Sequence, residues 1–314
     1  MKPYVILIGS ASGIGKSTAA AELAKTLNIK HLMETDFIRE VVRGIIGNDY
    51  APALHKSSYN AYTTLRNQKN FNTKEALINA GFEEHASFVV PAIEKVIDRA
   101  IKDKDDIIIE GVHLIPGLID LDKFKDKASV HFFILSSDEK RHKDRFVKRA
   151  TEIGRGGKQL DYFKENRIIH DYLVQEAENN NVKVINSTTV KKTVKRMLSE
   201  INETCDIIQL KNTVEQLDEI AKIIITKYGA TIKYVSYPIK GFKEPLIRQI
   251  NVSDIDEFNR FTNSLNKHEE KRNELKKLYS LTEYRENMIC AINKETIEKI
   301  KEDLDTNGFL YKKE

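Results

Sequence analysis

Apolar positions cluster at the start of the chain. The run Tyr4–Ile8 (YVILI) has the length and branched residues of a buried strand. It breaks into a Gly/Ser loop and Lys16-Ser17-Thr18, then into AAAELAKTL, an alanine-rich amphipathic pattern that predicts a helix. The alternation of strand and helix continues. IKHLMETD (29–36) predicts a short strand ending in a carboxylate. FIREVVRGII (37–46) predicts a helix with Ile38, Val41, Val42 and Ile45 on one face and Arg39 and Arg43 on another. Asn48–Arg66 is polar and bears aromatics, and residues 72–102 predict one or two long helices starting at Asn72-Thr73. DIIIEG (106–111), SVHFFIL (129–135) and VKVINST (182–188) predict further strands. SDEKRHKDRFVKRA (137–150) predicts a basic helix, and another helix runs to about Asn202. Strands at this spacing predict an α/β fold, a parallel sheet of about five strands with helices on both faces. Ligands in such sheets bind beyond the carboxyl ends of the strands, which places Asp36 and Glu110 near the loop after the first strand.

The pattern changes near Glu203. From Cys205 the chain reads strand, helix, strand, strand, then a helix over SDIDEFNRFTNSL with Ser253 as its cap, then two or more highly charged helices. The expected organisation is an α/β domain over 1–203 and a small C-terminal α+β domain over 204–314.

A length of 314 residues suits about two domains. With 40% hydrophobic and 31% charged residues the composition is globular rather than disordered. The net charge of +4 does not imply nucleic acid, so none is expected as a partner; small anionic molecules fit as well. No apolar run approaches the roughly 18 residues of a membrane helix. The first apolar run resembles a signal peptide only until the polar residues of 10–17 interrupt it. Cys205 and Cys290 lie far apart without a CxxC. They suggest a reducing cytosol and are expected to be buried spectators rather than a disulfide or a metal site. Nothing in the sequence sets an oligomeric state.

Strand, glycine loop, GKS and helix together form a phosphate-binding P-loop. Gly13, Ile14, Gly15, Lys16, Ser17 and Thr18 are the expected nucleotide contacts. Backbone N–H groups surround the phosphates, Lys16 adds a point charge and Ser17 offers its hydroxyl to Mg²⁺, so ATP and Mg²⁺ are the expected cofactors. The pattern GxxxxGK[ST] asks for glycine at position 10. The chain has Ser10 there and Gly9 one place earlier, so Ser10 is expected to need a backbone shape that glycine adopts more cheaply.

Asp36 could accept the proton of an attacking hydroxyl or hold Mg²⁺ through water; its competing role is to cap the helix after it. Glu110 stands where P-loop proteins carry a metal-side acid, and His113 follows it. Arg39 and Arg43 could grip an anionic substrate with forked donors, and His55, Lys56, Ser57, Ser58 and Tyr59 form a polar cluster suited to phosphate or carboxylate. Arg141, Arg145 and Arg149 share helical spacing, with Arg155 beyond. Gly154, Gly156 and Gly157 make a hinge, so a basic lid over about 137–157 is expected, with Arg145 and Arg149 neutralising the transferring phosphoryl group.

TDFIREVVRGII, LHKSSYNAY and above all IIIEGVHLIPG, together with the P-loop opening, resemble the archaeal 2-phosphoglycerate kinases over roughly residues 3–200. The resemblance implies a P-loop kinase fold and transfer of the ATP γ-phosphoryl group to the 3-hydroxyl of 2-phosphoglycerate. Its substrate side would be Arg39, Arg43 and the 55–59 cluster with Glu110 and His113. Two other readings stay open. One is a kinase for a nucleoside, nucleotide or sugar acid; the other is a nucleotide-dependent regulator acting through the C-terminal domain.

Overall fold

β1 (Tyr4–Gly9) is buried along its whole length, with Val5, Ile6, Leu7 and Ile8 fully shielded from solvent. In the computed structural model it is the middle strand of a five-stranded sheet of order β2-β3-β1-β4-β5, in which β2 is His31–Glu34, β3 Ile107–Gly111, β4 Ser129–Ser136 and β5 Lys183–Asn186. All four pairings are parallel. Helices cover such a sheet on both faces, which is why β1 and β3 read as unbroken apolar runs rather than alternating ones. The helices are α1 (Lys16–Leu27), α2 (Thr35–Ile45), α3 (Lys74–Ser87), α4 (Val90–Asp103), the short α5 (Asp122–Lys125), α6 (Glu139–Glu152), α7 (Phe163–Asn179) and α8 (Val190–Ile201). Thr73 caps α3 by accepting from the N–H of Ala76. The chain leaves β1 toward β2 on one side and reaches β4 on the other, so the order reverses beside β1 and β3 and a crevice opens at their carboxyl ends. The structure describes residues 2–152, 160–201, 204–253 and 255–312. It divides into two compact units, Met1–Val194 and Lys195–Glu314.

One expected face is rotated. α2 buries Thr35, Ile38 and Val42, whereas Val41 and Ile45 are 65% and 80% exposed, as is Phe37 at 70%. Arg39, placed by the pattern on the face away from the apolar residues, has a side chain only 15% exposed.

The second unit is an antiparallel sheet of order β6-β9-β7-β8. Its strands are β6 (Thr204–Leu210), β7 (Thr231–Tyr237), β8 (Leu246–Val252) and β9 (Arg285–Ala291). Its helices are α9 (Leu217–Ala221), which runs on as a π-helical stretch Lys222–Lys227, then α10 (Ile255–Lys267), α11 (Glu269–Ser280) and α12 (Lys294–Thr306). Ile208, Leu210, Ile224, Ile289, Ile300 and Leu304 lie in its core. The helical reading of the last segment is corrected at β9, a central strand paired with both β6 and β7. Ser253 is corrected as well: its hydroxyl is buried without a hydrogen-bond partner. So are the cysteines. Cys205 and Cys290 stand directly opposite on β6 and β9 and form a disulfide, a pairing made by sheet register across 85 residues of sequence. Among the described residues no helix is long and apolar enough to cross a membrane.

Candidate active site

The loop after β1 is shaped by its glycines. Gly13 and Gly15 have φ of 81° and 95°, a region that favours glycine. Gly9 has ordinary φ but no room: a Cβ there would lie 2.6 Å from Ile134 and 2.7 Å from the Leu114 carbonyl. Ser10 is fully buried, donates its hydroxyl to the Ala11 carbonyl and is not among the residues with left-handed backbone. The expectation of a strained Ser10 is therefore corrected; the special backbone falls at 13 and 15. The Ile14 side chain is fully buried, while Ser17 and Thr18 are exposed in the first turn of α1.

Strand register sets the carboxylates beside this loop. Glu34, Glu110 and Ile8 are neighbours across β2, β3 and β1. Glu110 is 1% exposed, and its Oε2 lies 3.8 Å from Lys16 Nζ without a hydrogen-bond partner. Burial pushes the Glu110 carboxyl up, and the Lys16 charge and a hydrogen bond from Ser17 pull it back. Asp36 is different, with a side chain 64% exposed. It sits inside the first turn of α2, whose N-cap is Glu34, so the capping role is not its own.

Behind Asp36 runs a buried chain of hydrogen bonds. His85 Nδ1 is 2.9 Å from the Ala53 carbonyl, His85 Nε2 is 3.0 Å from His113 Nε2, and His113 Nδ1 is 2.7 Å from Thr35 Oγ1. A carbonyl can only accept, so neutral His85 donates from Nδ1 and accepts at Nε2. His113 must then donate from Nε2, and Thr35 donates to His113 Nδ1. The chain ties the strand end at Thr35-Asp36 to the segment at Ala53. Gly111 makes room for it, since a Cβ there would lie 1.6 Å from Thr35 Oγ1. His113 is fully buried with both ring nitrogens engaged, which corrects its expected contact with substrate.

Burial holds His85 near pKa 4 and His113 well below the ordinary imidazole value. Burial also holds His142 near 4. The unfolded chain takes up these protons near pH 6.5, before the folded protein does. The stability these neutral rings contribute is thus complete above about pH 6.5 and lost as pH falls toward 4. Thermal denaturation should show Tm dropping steadily from pH 7 to pH 4.5. A flat Tm over that window would contradict the neutral-histidine chain.

α6 grips the P-loop with successive side chains. His142 Nε2 donates to the Ser12 carbonyl at 2.8 Å, the Phe146 ring occupies the space a Cβ on Gly13 would need, and Arg145 donates to the Ile14 carbonyl. Arg145 also donates to the Thr188 carbonyl at 2.6 Å, and Arg141 pairs with Asp138 at 3.2 Å. The expectation that Arg145 belongs to a moving lid is corrected: it is fixed between the P-loop and the loop after β5. The Arg149 side chain, Arg155 and the glycines at 154, 156 and 157 lie outside the described residues.

On the acceptor side the expected residues divide. Burial lowers the pKa of Arg39, and the nearby carboxylates of Glu40 and Asp36 act against this. Its Nη2 is 3.2 Å from Glu40, and its buried Nε has no hydrogen-bond partner. Arg43 is clamped by both oxygens of Glu40 at 2.8 and 3.0 Å. His55 donates to the Ile46 carbonyl, and Ser58 is 7% exposed, so these two serve the local fold rather than an open site. Lys56 is exposed, the Ser57 N–H donates to Asn60, and the Tyr59 ring lies 4.7 Å from that of Tyr162.

Comparison with known proteins places this geometry. A 2-phosphoglycerate kinase of Methanopyrus kandleri is 38% identical over 204 residues, covering 64% of this chain and 61% of its own. One of Methanothermobacter thermautotrophicus is 38% identical, covering 65% of this chain and 67% of its own. One of Pyrococcus furiosus is 33% identical, covering 69% and 70%. This chain belongs to the 2-phosphoglycerate kinase family. It spans 61% of the Methanopyrus relative's length, less than two thirds. Residues 205–313 match a separate family model, the 3H domain. Among solved structures, a shikimate kinase from Acinetobacter baumannii aligns with 64% of this chain and 93% of its own at 15% identity and a TM-score of 0.39.

Within this kinase-family unit, several residues that shape the site escape a reading by charge spacing. His142 and Phe146 are one such pair: two rings four apart in the largely charged EKRHKDRFVKRA. His85, Thr35 and Gly111 are others. Only the glycine after the β3 acid carried a signal, a strand end where another backbone or side chain comes close.

Proposed function

We propose that this chain transfers the γ-phosphoryl group of ATP to the 3-hydroxyl of 2-phosphoglycerate, giving 2,3-bisphosphoglycerate and ADP. The observation that carries this reading is the exposed Asp36 carboxylate next to Arg39, at the sheet edge shared with Lys16, Ser17 and Glu110, in a chain of this family. Lys16 and the P-loop N–H groups hold the β- and γ-phosphates. Asp36 takes the hydroxyl proton as the acceptor oxygen bonds to the γ-phosphorus and the bond to the β,γ-bridging oxygen breaks. The residues fit a magnesium ion. Ser17 and the unpartnered Glu110 oxygen would hold it, Asp36 through water, with phosphate oxygens completing the set. Bound there it would neutralise charge on the phosphates.

2-Phosphoglycerate carries about three negative charges at neutral pH and little apolar surface, so charge-assisted hydrogen bonds must hold it. The Arg39 Nε–H is a buried donor ready for one of them. Steady-state kinetics with 2-phosphoglycerate, 3-phosphoglycerate, glycerate and a nucleoside test the reading. We expect preference for 2-phosphoglycerate, a KM that rises with salt, and an Arg39→Ala variant whose KM rises about tenfold or more for acceptor and little for ATP. Preference for the nucleoside, or an Arg39→Ala defect confined to ATP, would overturn it.

A further inference from the structure

Asp36, Arg39, Glu40 and Arg43 stand at i, i+3, i+4 and i+7 of α2, so they share one face of the helix. Asp36 and Arg39 have roles in the proposed reaction. Glu40 has none, yet its carboxylate lies between the two arginines. Its Oε1 is 3.2 Å from Arg39 Nη2, and both its oxygens accept from Arg43 Nη1, at 2.8 and 3.0 Å. Among the described residues no other carboxylate forms an ion pair with either arginine.

The arginines are the less solvated partners. The Arg39 side chain is 15% exposed and that of Arg43 30%, against 58% for Glu40. Each arginine keeps a buried Nε–H without a hydrogen-bond partner. The two cations oppose each other: the Arg43 charge adds to burial in lowering the Arg39 pKa, whereas Glu40 acts against it. Two partly desolvated guanidiniums side by side need an anion. Glu40 is one such anion, and the phosphate or carboxylate of an acidic acceptor is another. An ion pair open to water is weak, so the exposed Glu40 carboxylate can turn into solvent at little cost.

We propose that Glu40 is a built-in competitor of the acceptor, contending with its anionic group for Arg39 and Arg43. Acceptor binding turns the Glu40 carboxylate out into water, and the guanidinium donors pass to the ligand. The identity of that ligand rests on the reaction proposed above. The tether keeps Glu40 at high effective concentration, so it weakens acceptor binding without a second molecule. It acts on product as well. The bisphosphorylated product carries about four to five negative charges, and a returning carboxylate helps to drive it out.

Calorimetric titration of the full chain with 2-phosphoglycerate and with 2,3-bisphosphoglycerate, without ATP, tests this in the parent and in Glu40→Gln, which keeps the shape and removes the charge. In Glu40→Gln the Kd for 2-phosphoglycerate should fall about three- to tenfold, and that for 2,3-bisphosphoglycerate further. Glu40→Ala should also bind both more tightly. Asp49→Asn removes an exposed charge that pairs with neither arginine and should leave both constants within about twofold. Unchanged or weaker binding in Glu40→Gln and Glu40→Ala would make Glu40 a support for the arginines and overturn the proposal, as would equal tightening in Asp49→Asn. The outcome is separable from that of the reaction itself. Tighter binding in Glu40→Gln beside a parent without turnover retires the reaction and keeps the competitor, whereas parental turnover with no gain in affinity retires the competitor alone. Absence of binding in parent and variants overturns both.

Discussion

Replacing Lys16 by alanine is expected to lower phosphoryl transfer by about a hundred- to a thousandfold while the fold survives. The reason lies in what surrounds it. Its ammonium is largely buried at the start of α1 and faces Glu110 at 3.8 Å. An interaction aimed at charge developing on a transferring phosphoryl group is worth on the order of 3 kcal/mol in such a water-poor site. Without Lys16 the buried Glu110 loses its cation, and its carboxyl, already pushed up by burial, takes a proton instead of remaining an unpaired charge. Melting temperature should therefore move little. A coupled assay for ADP formation and a thermal melt on the same sample measure both effects. Unchanged turnover in a folded Lys16→Ala protein would sink the kinase reading.

The second large effect is expected at Asp36. Asp36→Asn keeps the shape and removes the base, so kcat should fall by about 10²- to 10⁴-fold. Stability should hardly change. The side chain is 64% exposed and caps nothing, and its electrostatic benefit to the α2 N-terminus is worth only about 0.3–1 kcal/mol. The KM for ATP should stay near that of the parent. Parental turnover with a lowered Tm would return Asp36 to a purely structural role and leave the acceptor hydroxyl without its base.

The sequence made the first unit legible where one strong signal sufficed. Unbroken apolar runs marked β1 and β3 because both faces of a parallel sheet are covered, and GKS before an alanine-rich helix fixed the loop after β1. The α2 face was not legible. Phe37, Ile38, Val41, Val42 and Ile45 wrap too much of the helix for periodicity to choose a side, and the structure turns it so that Thr35 and Arg39 point inward. The fixing of Arg145 was hidden because spacing shows which cations share a helix face, not what meets that face. β9 was hidden by its own chemistry. Arg285, Glu286 and Asn287 open a central strand with polar and charged residues that give no strand signal. The disulfide depended on a register between strands far apart in sequence, which no local pattern encodes.

The most direct test of the central claim is phosphorus NMR of the product formed from ATP and 2-phosphoglycerate. The expected spectrum shows two phosphomonoester signals of equal intensity, one on carbon 2 and a new one on carbon 3, growing in step with ADP. Release of ADP with inorganic phosphate and no new phosphomonoester, or a new signal only when another acceptor replaces 2-phosphoglycerate, would contradict it.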